Sequence, residues 1–215
     1  PIQVNKSKEL NFYFFGINKV NADVNISSTK ANPFVEICYA DIVITTHLIG
    51  LYNANNVNAA LTIGKYFEID DLAIKEALES YIPENNRSQI LSKGTNQIIL
   101  DAYNANPSSM AVAIENFLQL DNSNKIMILG DMFELGEESM LEHKAIVDIL
   151  LNENNIACYF IGKEFFGNRI DKNNLHFYET FEESSNYLKD IKIDNSSVLI
   201  KGSRGMALER TLNFL

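Results

Sequence analysis

From about residue 88 the chain alternates between short apolar runs and longer stretches with helical spacing. Gln97-Ile98-Ile99-Leu100-Asp101, Lys125-Ile126-Met127-Ile128-Leu129-Gly130, residues 156–161, Leu175-His176-Phe177-Tyr178 and Ser197-Val198-Leu199-Ile200 read as five strands. Each is short, rich in β-branched or aromatic residues, and bounded by polar turns. Between them, Asn106-Pro107 opens a helix with Asn as cap and Pro in the first turn. Residues 137–151 form another, and Thr180-Phe181-Glu182-Glu183 has capping-box spacing for a third. Lys201-Gly202-Ser203-Arg204 leads into a last helix. This alternation predicts βαβ units and a largely parallel sheet. In such sheets ligands bind beyond the carboxyl ends of the strands. Loops 101–106, 130–136 and 201–204 are therefore the places to look for chemistry.

The first 50 residues have a different texture. Leu10-Asn11-Phe12-Tyr13-Phe14-Phe15, Val35-Glu36-Ile37-Cys38-Tyr39 and Asp41-Ile42-Val43-Ile44-Thr45-Thr46 read as strands. Residues 53–67 carry small and apolar side chains at helical spacing, and Asp70 or Asp71 caps a second helix to about residue 81. The polar stretch 81–89 contains Pro83 and cannot continue that helix. It marks a domain boundary, giving segments 1–83 and 84–215.

Composition narrows the classes. With 215 residues and 46% hydrophobic side chains, the chain has enough apolar material for a core in one or two domains. A formal net charge of -10 disfavours a generic nucleic-acid surface, which needs a basic footprint. Cys38 and Cys158 lie far apart without metal-ligand spacing and read as reduced, buried thiols. No apolar run approaches a membrane span, and the start at Pro1 lacks both a signal-peptide pattern and an initiator Met. A cytoplasmic protein, represented by a piece of a longer chain, is the expectation.

Four segments are dense in groups that could bind a ligand. Asn53 and Asn56, after Gly50-Leu51-Tyr52, fit helix capping, and their amides also match the donor–acceptor edge of adenine. Arg87 offers a fork of donors for phosphate, and Asp101 stands at a strand end where a carboxylate suits ribose hydroxyls. The plainer readings are a solvated Arg and a turn-capping Asp. Asn104, Asn106 and Ser109 cluster before the Pro-opened helix, whose free N–H groups suit a carboxylate or phosphate. Lys201, Ser203 and Arg204 place two cations at a strand–helix junction of an acidic chain, favouring an anion. Asp131 and Glu134, bracketed by Gly130 and Gly136, read as a structural loop. His47, His143 and His176 are scattered, so no metal site is expected in this chain. There is no Gly-x-x-x-x-Gly-Lys-Ser/Thr phosphate loop and no Gly-x-Gly-x-x-Gly after a strand.

In order, these segments resemble the Mur ligases: Gly50-Leu51-Tyr52-Asn53-x-x-Asn56, Arg87, Asp101-Ala102-Tyr103-Asn104-Ala105-Asn106-Pro107-x-Ser109-Met110, Leu129-Gly130-Asp131-Met132-x-Glu134-Leu135-Gly136 with Ser139 and His143, and Lys201-Gly202-Ser203-Arg204. The Asn-Ala-Asn-Pro stretch favours the member that adds D-alanyl-D-alanine to UDP-N-acetylmuramoyl-tripeptide over the sister that adds the third amino acid. The resemblance implies an ATP- and Mg²⁺-dependent, monomeric ligase of peptidoglycan precursor synthesis. This chain would be its C-terminal half: the end of a P-loop-type α/β ATPase domain, then a Rossmann-like, mostly parallel α/β domain. The phosphate loop, the Mg²⁺ ligands and the UDP-binding domain would precede Pro1, leaving this stretch inactive alone. By position, Asn53 and Asn56 would contact adenine, Asp101 the ribose, and Arg87 the ribose and phosphates from a hinge. Asn104, Asn106, Ser109, Lys201, Ser203 and Arg204 would line the wall that receives D-alanyl-D-alanine or the growing peptide. Tyr52 stands where many members carry His, and no role is assigned to it. The alternatives are a non-catalytic Rossmann-like binding module, a tripeptide-stage Mur ligase, or a folylpolyglutamate synthase of the same architecture.

Overall fold

A computed structural model describes residues 12–32, 34–122 and 124–215. The chain divides into two compact units, Pro1–Tyr81 and Ile82–Leu215. Leu10 and Asn11 of the first expected strand lie outside the described residues, as does the start at Pro1.

In the first unit four strands lie in the order β1 (Phe15–Ile17), β2 (Val24–Ala31), β3 (Phe34–Tyr39), β4 (Ile42–Ile49). β1 is parallel to β2, and β2, β3 and β4 run antiparallel. Strand alternation sends Val24, Ile26, Val35, Ile37 and Ile44 to one side. Helices α1 (Ala54–Tyr66) and α2 (Asp71–Ser80) cover that side with Val57, Leu61 and Ile74. The other face stays wet, as antiparallel sheets permit. Asp70 is the cap of α2, its carboxylate accepting from the N–H of Leu72 at 2.9 Å and of Ala73 at 3.4 Å.

The second unit holds six strands: β5 (Gln89–Lys93), β6 (Asn96–Asp101), β7 (Lys125–Gly130), β8 (Ile156–Ile161), β9 (Leu175–Tyr178) and β10 (Ser197–Lys201). Their spatial order is β5-β6-β10-β7-β8-β9. β5 is antiparallel to β6 through a tight turn at Gly94 (φ 59°), and every other pair is parallel. Helices α3 (Pro107–Leu118), α4 (Ser139–Ile149), α5 (Lys163–Gly167) and α6 (Phe181–Asp190) connect them. One face of the sheet packs Ile98, Leu100, Ile128, Val198 and Ile200 with Leu188 of α6 and Leu208. On the other, Phe160 meets Phe165 of α5 at 4.8 Å between ring centroids, and Phe165 meets His143 of α4 at 4.6 Å. With both faces covered, the central strands are apolar throughout, and all five residues of β10 are buried.

Three expectations change. The stretch expected as linker up to residue 89 gives way to β5, whose apolar Ile90 and Leu91 pair against β6. The last helix is two 3₁₀ turns, Arg204–Met206 and Leu208–Phe214, because Ala207 between them is left-handed (φ 48°) and breaks any continuous α-helix. β2 and α5 were not foreseen.

Candidate functional site

The carboxyl ends of β6, β7 and β10 bring loops 101–106, 130–136 and 201–204 together, tied by side chains from each. Lys201 and Asp101 are register partners on adjacent strands. The Lys201 ammonium donates to Asp101 Oδ2 at 2.6 Å and to the Asn104 carbonyl at 3.2 Å, and its side chain is only 3% exposed. Asp101 Oδ1 accepts the Ser88 N–H at 3.0 Å. Both carboxylate oxygens are thus engaged, and the Lys201 charge is spent within the protein. Expected as part of an anion-receiving wall, Lys201 is instead a buried strut, since desolvating an ammonium demands such a partner.

Ser203 is also internal. It is 4% exposed, its N–H donates to the Asp131 carbonyl at 3.1 Å, and its hydroxyl accepts the Phe133 N–H at 2.8 Å. It clamps the 130–136 loop to the 201–204 loop. The approach of these loops depends on glycine: a Cβ on Gly202 would sit 3.1 Å from the Gly130 Cα.

Asn106 and Ser109 form a reciprocal capping box. Asn106 Oδ1 accepts the Ser109 N–H at 2.8 Å, and Ser109 Oγ accepts the Asn106 N–H at 3.1 Å. Asn104 Oδ1 accepts the Ala105 N–H at 2.9 Å. All three side chains therefore shape the loop, and the Asn104 and Asn106 side chains remain exposed at its surface.

Asp131 is structural. Its carboxylate accepts the Glu164 and Phe165 N–H groups, each at 3.0 Å, and so caps α5. Gly162 (φ 128°) makes room, since a Cβ there would lie 2.2 Å from the Asp131 carboxyl carbon. Burial pushes the Asp131 carboxyl above its ordinary value, against the pull of those two N–H donors. His143 accepts the Met132 N–H at Nε2 (2.9 Å), which leaves Nδ1 to donate to the Ser139 carbonyl at 2.7 Å. Glu134 is left-handed (φ 65°) and lines a cleft of about 520 Å³ together with Phe133, Lys163, Glu164, Glu179 and Met206.

Arg87 and Arg204 are exposed at this edge. Both lie over the ring of Tyr103, with the guanidinium carbon 3.8 Å from its centroid for Arg87 and 6.0 Å for Arg204. Arg204 also comes within 3.7 Å of Glu209. Tyr103 had no role assigned from sequence; an aromatic residue two positions after Asp101, inside a polar loop at a strand end, was the available signal.

In the first unit Asn53 does not cap α1. Its amide donates to the Ile49 carbonyl at 2.8 Å, and its Oδ1 accepts from the Asn56 amide at 3.1 Å. Asn53 is buried and thereby orients the exposed Asn56. Asn56 lies on the wall of a largely apolar cavity of about 440 Å³, with Val57, Ala60, Ile74, Leu78 and Tyr81. Among the described residues no group of three His, Cys, Asp or Glu side chains could hold a metal ion, and no helix is long and apolar enough to cross a membrane.

The model of the Mur ligase glutamate ligase domain matches residues 86–204, more than half of the chain and every loop of the second unit's polar edge. This chain belongs to the Mur ligase family. A UDP-N-acetylmuramoyl-tripeptide--D-alanyl-D-alanine ligase of Rickettsia prowazekii is 31% identical over 95% of the chain and 47% of its own length. A crystal structure of MurF from Acinetobacter baumannii superimposes with a TM-score of 0.82 at 24% identity, over 98% of this chain and 48% of that one. The MurF ligase of Thermotoga maritima, solved in complex with ADP, gives 0.74 at 23% identity, over 99% of this chain and 50% of that one. At that identity the two structures speak for the Mur ligase fold. The chain spans about half the length of the curated Mur ligases it matches.

Proposed function

We propose that the complete protein is an ATP-dependent amide ligase that joins D-alanyl-D-alanine to UDP-N-acetylmuramoyl-tripeptide during peptidoglycan precursor synthesis. In this reading residues 1–83 are the end of its central ATP-binding domain and residues 84–215 its C-terminal domain. What carries the reading is that the likeness to a ligase of that name runs through both units, beyond the stretch matched by the family model. The reading also places the protein in the cytoplasm, with its ATP, as a monomer.

The chemistry is two transfers. The γ-phosphoryl group of ATP passes to the tripeptide carboxylate, giving an acyl phosphate and ADP. The dipeptide amine then attacks the acyl carbon, the bond to the phosphate oxygen breaks, and inorganic phosphate and the amine proton leave. Such steps are accelerated chiefly by positioning and by charge stabilisation. Asn56, held by Asn53, presents an amide beside an apolar cavity, a combination suited to adenine. Each Asp101 oxygen that already accepts one hydrogen bond has a further lone pair, enough for a ribose hydroxyl without releasing Lys201. The exposed Asn104 and Asn106 amides and the Arg204 guanidinium face the second substrate, with Ser109, Lys201 and Ser203 acting through the loops they hold. Mg²⁺, which supplies charge neutralisation on the phosphates when bound, does not fit the described residues, so none of these roles passes through it.

The deciding measurement is phosphate release by the full-length protein with ATP, UDP-tripeptide and D-alanyl-D-alanine supplied singly and together. Release only with all three supports the ligase. A requirement for another amino acid overturns the substrate assignment, and tight dipeptide binding without any release makes the protein a binding module.

A further inference from the structure

On sequence, Arg87 belongs with the nucleotide and Arg204 with the dipeptide. In the structure they share one neighbour, the Tyr103 ring. We propose that Tyr103 is a positioning residue that holds the two guanidiniums toward a single oxyanion, so that Arg87 and Arg204 act as one clamp. The inference deepens the function proposed above and rests on it only for the identity of the ligand.

Three observations carry it. Among the described residues Arg87 has no carboxylate at ion-pairing distance, and Arg204 has only Glu209, at 3.7 Å. Asp101, an acid of the same edge, is already neutralised by Lys201. Two like charges that share one ring thus stand without a full counter-charge, an arrangement that an anionic ligand completes.

Second, the Arg87 loop is built to present its side chain. Asn85, Asn86 and Ser88 are all left-handed, with φ of 60°, 61° and 48°. Such backbone is unfavourable for residues bearing a Cβ and persists where other contacts impose it. Those contacts come from the Tyr103 segment: the Tyr103 N–H donates to the Asn86 carbonyl at 3.1 Å, and the Ser88 N–H donates to Asp101 at 3.0 Å. Tyr103 therefore holds Arg87 from below by its backbone and from the side by its ring.

Third, Tyr103 is 40% exposed and belongs to neither face of the sheet core. Among the described residues its ring pairs with no other aromatic ring, and the two arginines are the cations that lie over it. Aromatic stacking fixes the plane of a guanidinium and leaves its edge donors free, which is what bidentate binding of a phosphate or carboxylate needs.

The clamp serves one oxyanion chemistry with two sources, a nucleotide-type phosphate or the dipeptide carboxylate. Calorimetric titration of the full-length protein with inorganic pyrophosphate and, separately, with D-alanyl-D-alanine tells them apart. For the probe that is bound, Arg87→Gln and Arg204→Gln each weaken affinity about 10-fold, as expected for loss of a charge-assisted hydrogen-bonding pair. Tyr103→Leu weakens it about 5-fold, and Tyr103→Phe, which keeps the ring face, less than about 2-fold. The two arginine effects are non-additive when residue 103 is aromatic and become additive with Leu, a signature of coupling that loss of stability alone does not produce. Lys144→Gln, which removes an exposed ion pair to Asp148, leaves both titrations unchanged. Additive arginine effects on different probes, equal losses for Phe and Leu, or no binding of either probe overturn the clamp. A failed ligase assay with an intact pyrophosphate pattern rejects the substrate assignment and leaves the clamp standing.

Discussion

Breaking the Lys201–Asp101 pair from one side strands a charge in a largely buried place. Lys201→Met leaves Asp101, with 15% of its side chain exposed, facing an apolar neighbour. The expected loss is about 3 kcal/mol of stability in urea unfolding. The double change Lys201→Met with Asp101→Leu restores more than half of that loss, because neither charge then needs desolvation. A double variant no more stable than the single one would show that the pair is not the strut described. This role was not legible in the sequence: the two residues are 100 positions apart, and nothing in Lys-Gly-Ser-Arg shows that strand pairing aims the ammonium inward. Arg204, three residues later, is legible as an exposed cation because it lies past the end of the strand. Tyr103 illustrates the converse. Its neighbours suggested chemistry, but only the folded loops reveal that its ring lies against Arg87 and Arg204.

At the level of elements, the start of α3 is the most finely specified junction of the second unit. Asn106→Ala removes the side-chain half of a capping box and is expected to cost about 1 kcal/mol. Asn106→Ser keeps a capping oxygen and should preserve the melting midpoint. If the Ser variant keeps its stability but loses ligation in the full-length protein, the exposed amide meets substrate; if both are kept, Asn106 is a cap and nothing more. This helix was readable because Asn-Pro and Ser109 are local signals, as was α6, where Thr180 accepts the Glu183 N–H at 3.2 Å. The strands of the parallel sheet were readable for a different reason: burial on both faces leaves unbroken apolar runs. β2 escaped because its second half, Ser-Ser-Thr-Lys, faces water on an open sheet and carries no apolar period. α5 has five residues and depends on Asp131, 32 positions before its first residue, for its cap. Local signals cannot report either circumstance.

At the level of the molecule, the apolar cluster that includes Ile98, Tyr159, Val198 and Leu208 draws all its members from within residues 82–215. That segment made alone should therefore unfold cooperatively in a single urea transition, with a slope of about 1–3 kcal/mol/M. Loss of the transition, or a drawn-out one, would mean that the unit needs groups from elsewhere in the protein.

The position of β10 has a consequence for how this unit comes into being. It is the last of this unit's described strands to be made, yet it lies between β6 and β7, pairing with both over its whole length. On the ribosome, the sheet stays divided until residue 201 has emerged. Until then β6 and β7 have no partner on their facing edges, and their apolar side chains lack half of their eventual neighbours. Vectorial synthesis thus gives no early foothold for the centre of this sheet. Closure waits on contacts about 100 residues apart, the kind that slow folding and prolong exposure to aggregation. The same late strand that delivers Lys201 to Asp101 therefore decides when the polar edge first exists, and a nascent chain has no assembled polar edge before β10 has emerged.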